Sequence, residues 1–133
     1  MSRQSRREEI KAALVALGRF ADVFEGARRS FGARSPVAVI LSRSYAIQNL
    51  TRSLNDGLLL GFTVTIYVAA DASKEDEAED TLDQLLVLTA DALRDAGFDI
   101  GESDAAPDNA PLRDIDKRFY RAERLPVSIE DYD

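Results

Sequence analysis

Apolar residues recur along this chain first at helical and then at strand spacing. Ile10, Ala13, Leu14 and Leu17 follow i, i+3, i+4, i+7, which predicts a helix over 8–17 stopped by Gly18. The polar residues 1–7 before it are expected to be frayed. Val23 and Phe24 predict a short strand, with a mobile loop after it to residue 34. Val37-Ala-Val-Ile-Leu41 is a β-branched run of strand length. The clearest strand is Phe62-Thr-Val-Thr-Ile-Tyr-Val68, where Phe62, Val64, Ile66 and Val68 alternate with Thr63, Thr65 and Tyr67. It should bury one face and leave the other semi-polar, as in an antiparallel or mixed sheet. Between these strands, Ser42 to Gly57 reads as a loop of roughly fifteen residues, far longer than a hairpin needs.

A second helix is predicted over 74–96, with Ser73 as N-cap and acidic residues complementing the dipole. Leu82, Leu85, Leu86, Leu93 and Ala96 line one of its faces, and Gly97 suits its C-terminal stop. Phe98 to Ile100 forms a brief strand, and residues 102–117 are turn-rich, acidic and expected to be flexible. Leu125, Val127 and Ile129 then share one face of a closing strand. Pro126 has no N–H to give, which predicts an edge or a bulge there. The order describes one α+β domain over 1–133: a mostly antiparallel or mixed sheet with two helices packed on one face.

Composition narrows the chemistry. The chain has 133 residues, enough for one domain with its own core. It contains no cysteine and no histidine. That excludes disulfides, thiolate metal sites, thiol nucleophiles and histidine-based triads. No Gly-rich phosphate loop and no nucleophile elbow is present. The acidic cluster Glu75, Asp76, Glu77, Glu79, Asp80 and Asp83 reads as a solvated helix start, with Glu79 and Asp83 sharing a face. No catalytic residue, metal site or cofactor is therefore expected. The stretch Leu58–Ala70 is too short to span a membrane, and charges interrupt any signal-like N-terminus.

The net charge of −7 is unevenly spread. Residues 1–34 carry +4, whereas residues 71–133 carry −12. An acidic chain is a poor general binder of nucleic acid, but opposite charges on two copies attract. Arg28, Arg29, Phe31, Arg34, Arg43, Tyr45 and Arg52 interleave cations with aromatics in two loops. Such a set suits a nucleic-acid patch or a protein interface, and the overall charge favours the interface.

The order helix Glu8–Leu17, strands at Val23-Phe24 and Val37–Leu41, Gly61-Phe-Thr-Val-Thr-Ile-Tyr-Val68, long acidic-capped helix and closing Leu125-Pro-Val-Ser-Ile129 resembles the tail terminator proteins of long-tailed bacteriophages. The resemblance covers nearly the whole chain. It implies a homo-hexameric ring that caps the tail tube protein and presents a surface to the head–neck connector, with DNA passing through its lumen. It also implies a place in the virion tail or neck after assembly in the host cytoplasm. Another head–tail connector or tail-completion subunit is the alternative, followed by a cellular α+β ligand-binding domain. On the first reading the Ser42–Gly57 segment is an arm docking on a neighbouring subunit or on the tube end.

Overall fold

The computed structural model describes residues 3–26, 35–48, 57–69, 75–105, 112–113 and 119–132. The chain runs α1 (Arg3–Leu17), β1 (Asp22–Glu25), β2 (Val37–Gln48), β3 (Gly57–Ala69), α2 (Glu75–Asp95), β4 (Asp99–Ile100), β5 (Asp104–Ala105), β6 (Leu112–Arg113) and β7 (Phe119–Tyr132). The sheet order is β1-β2-β3-β7-β4, and β5 and β6 also pair with β7. β1 and β2 are parallel, while the other pairs are antiparallel, so the sheet is mixed. The molecule is an α+β domain, as the hydrophobic pattern predicts.

Both helices cover one face of this sheet. Ile10 and Leu14 of α1 and Leu82, Leu85 and Leu93 of α2 pack on Ala38, Ile40, Phe62, Val64, Ile66, Leu125 and Val127. The register explains the match, because Ile40 lies opposite Val64 and Val64 opposite Leu125, stacking like-facing apolar residues across three strands. Burying such side chains is worth about 1.5–3 kcal/mol each, and this layer is the main source of stability. The opposite face is less polar than its threonines suggest. Val37, Val39 and Tyr120 are buried there with Phe24 and Tyr67 against them, and Thr65 is buried too.

The helix ends follow their glycines. α1 stops where Gly18, at φ 65°, donates its N–H to Val15 O at 3.1 Å. At the end of α2, Phe98 N–H donates to Leu93 O and Gly97 N–H to Arg94 O, each at 3.0 Å. Gly97 has φ 96°, so this is a Schellman cap, and buried Phe98 and Leu93 supply its hydrophobic contact. Ala96 does not join the apolar face of α2 but is exposed; buried Ala78, Thr89 and Ala90 belong to that face.

Three expectations need correction. Residues 3–7 are helical rather than frayed, with Arg6 Nη1 bonded to Glu9 Oε2 at 3.0 Å. The predicted loop begins too early: β2 continues to Gln48, opposite Gly57 at the start of β3, and 49–56 lie outside the described residues. Within the span 102–117, β5 and β6 are laddered to β7, and 106–111 and 114–118 lie outside the described residues. Lastly, β7 is not an edge, since β3 pairs with it along its length without a break at Thr63 and Pro126. Gly101 N–H donates to Pro126 O at 2.9 Å, so Pro126 turns its polar backbone towards β4 rather than β3. The missing N–H falls where β4 ends and before β5 begins, and the ladder is interrupted there instead of bulged. Gly101 also lies close over this proline, where an added Cβ would come within 3.2 Å of Pro126 Cβ.

Candidate interaction surface

Two surfaces stand out. The first is the extension of the sheet. β2 carries a bulge between Ser42 and Ser44, with Arg43 as the extra residue. Beyond the bulge, Tyr45 lies opposite Leu60 and Ile47 opposite Leu58, while β7 accompanies β3 as far as Tyr132 opposite Gly57. The described ends of the expected arm, 42–48 and Gly57, thus continue the sheet as β2 and β3 beside β7. Arg7 Nη1 donates to Ser42 Oγ at 3.1 Å, tying α1 to β2 just before the bulge.

Of the residues selected from sequence, Arg43 and Tyr45 therefore sit on strand β2 and not in a loop. Arg28, Arg29, Phe31, Arg34 and Arg52 lie outside the described residues, and so does Ser73. Whether the two arginine-rich segments meet in one patch lies there as well.

The second surface is the outer face of the helical layer, and the sequence reading did not select it. Val15 on α1 is 58% exposed, and Val87 and Leu88 on α2 are 62% and 36% exposed. The signal was present in Leu85-Leu-Val-Leu88. Four successive apolar residues spread over about 300° of helix, so one face cannot bury them all. Val87 and Leu88 line an open groove of about 480 Å³ with Arg19, Asp83 and Gln84. A smaller one, about 250 Å³, lies between α2 and the β4 end and is lined by Val87, Ala90, Arg94, Ile100 and Gly101 among others. On its rim Arg94 Nη1 faces Asp91 Oδ1 at 3.6 Å. On the sheet side of α2, Glu79 Oε1 pairs with Arg121 Nη2 of β7 at 3.3 Å.

The polar lining of the first groove is Arg19, Asp83 and Gln84, and that of the second is Asp91, Arg94 and Ser103. Among the described residues no three carboxylates converge as metal ligands, and no helix is long and apolar enough to cross a membrane. Tyr67 has its pKa raised by burial, partly countered by the Arg124 guanidinium. It belongs to the sheet face opposite the helices, away from both grooves. The arrangement is an α+β domain with exposed apolar and charged residues on its helical layer. In comparisons with known proteins, no family matches the chain and no curated protein matches it.

Proposed function

We propose that this protein is a structural subunit of a long-tailed phage virion, a tail terminator whose homo-hexameric ring caps the tail tube and joins it to the head–neck connector. The observation that carries the reading is the order of elements. A helix, a short strand, two long strands, a long acidic helix and a long closing strand form one mixed sheet with both helices on one face. That is the order on which the resemblance to tail terminators rests. The sheet extension and the exposed helical valines supply surfaces for a neighbouring subunit and a tube end.

Under this reading the protein is not an enzyme and uses no cofactor. Its partners are copies of itself, the tail tube protein and the connector, and DNA crosses its lumen without specific binding. Its place is the virion tail or neck, assembled in the host cytoplasm. The test is a stop codon in this chain within its own phage. Filled heads and tail tubes should accumulate unjoined, and adding the purified protein should restore joining. Joined, infectious virions in normal yield without it would reject the proposal.

A further inference from the structure

The two helices carry opposite charge, and each presents an exposed valine. α1 bears four cations against two carboxylates, with Arg19 just beyond its end. α2 bears eight carboxylates against one arginine. Lys11 precedes the exposed Val15 by one helical turn. On α2, exposed Asp83 and Asp91 stand one turn before and one turn after Val87. Each of these four-residue spacings is about 6 Å along its axis. With Val15 set against Val87, Lys11 therefore falls within a turn of a carboxylate whichever way the two helices run.

We infer that the Val87 face of α2 is the docking surface for α1 of a second copy of this chain. Charge decides the occupant. Two α2 faces would oppose carboxylate to carboxylate, and two α1 faces would oppose cation to cation. Only α1 against α2 joins unlike charges around an apolar contact. Val15 enters the groove beside Val87 and Leu88, while Lys11 lies against Asp83 or Asp91. Both helices lie on the same side of the sheet, so this contact closes either as a two-fold pair, each α1 on the other copy's α2, or as a larger ring in which each copy passes it on. This deepens the proposed function and rests on it for the number of copies.

The chain has no cysteine, so introduced thiols report the contact without background. Val15→Cys and Val87→Cys alter exposed side chains and leave the core alone. Mild oxidation of an equimolar mixture of the two purified variants should give mixed disulfide dimers. Each variant alone should give no more dimer than Glu130→Cys, an exposed control that alternates with buried Ile129 and so lies on the sheet face away from the helices. A chain carrying both substitutions should give a ladder ending in one closed species. Adding Lys11→Glu to the first variant should reduce the mixed product several-fold, and pairing it with Asp83→Lys in the second should restore it. No mixed disulfide above the control, or self-crosslinking of Val87→Cys at the same rate, overturns the inference and leaves a ring built on other faces intact. A ladder closing at a number other than six keeps the face pairing and rejects the six-membered ring.

Discussion

Thr89 is fully buried in the middle of α2, and its hydroxyl has no hydrogen-bond partner. An orphaned buried donor costs about 1–3 kcal/mol. Thr89→Val keeps the branched shape and removes that group, so the unfolding free energy should rise by about 1 kcal/mol. Urea denaturation should show a higher midpoint at unchanged slope. A lower midpoint would mean that the hydroxyl is satisfied. Tyr67 sets a second test at this scale. Burial, opposed by Arg124, raises its pKa above that of the unfolded chain. Its contribution is therefore complete below the unfolded value near 10 and is lost as pH rises through the folded value. Melting temperature followed above about pH 10 should fall less steeply for Tyr67→Phe than for the unmodified protein. Parallel curves would remove Tyr67 from the alkaline transition.

Among the elements, the end of α2 depends on one backbone angle. At Gly97 the φ of 96° disfavours any side chain, although an added Cβ would meet no neighbouring atom. Gly97→Ala should therefore cost about 1–2 kcal/mol through conformation alone, read as a lower urea midpoint. Leu93, which is buried beneath the same cap, should cost about 2–5 kcal/mol as alanine. These features were legible because period and punctuation agree. The even positions of 62–68 all join the helix-side core, Ile10 and Leu14 face that core, and both helix-ending glycines adopt positive φ. The second half of β2 was not legible, for a physical reason. Ser42-Arg-Ser-Tyr-Ala-Ile-Gln48 is polar and holds its strand by pairing with β3, which context supplies and propensity does not. The bulge at Arg43 also breaks the alternation that begins at Val37. Pro126 misled because the proline rule asks which side of the strand lacks a donor, and that side meets the gap between β4 and β5. Of the candidate site, only the backbone of Arg43 and Tyr45 can be placed. Val15, Val87 and Leu88 fall outside the apolar faces that the helical period selects, so the pattern sets them aside without a role.

At the scale of the whole molecule, charge is segregated along the chain, with a basic first quarter and an acidic second half. A net charge of −7 opposes general attraction to nucleic acid. Duplex DNA should bind the free protein no more tightly than about 10⁻⁴–10⁻⁶ M at physiological salt, and more weakly as salt rises. Sub-micromolar affinity in a filter or anisotropy assay would restore the nucleic-acid reading of the arginine-rich segments. The proposed partner of each charged face is instead another copy, and ring closure uses both faces at once.

The central claim is that the protein works as a closed ring of six on a tail tube, and the symmetry of that ring is its most direct measure. Purified protein should be examined by electron microscopy and native mass spectrometry, alone and on tubes from its own phage. The expected result is sixfold averages at one tube end and a particle mass six times the 14.7 kDa chain. A stable closed ring of any other number, or protein that binds neither itself nor the tube end, would contradict it.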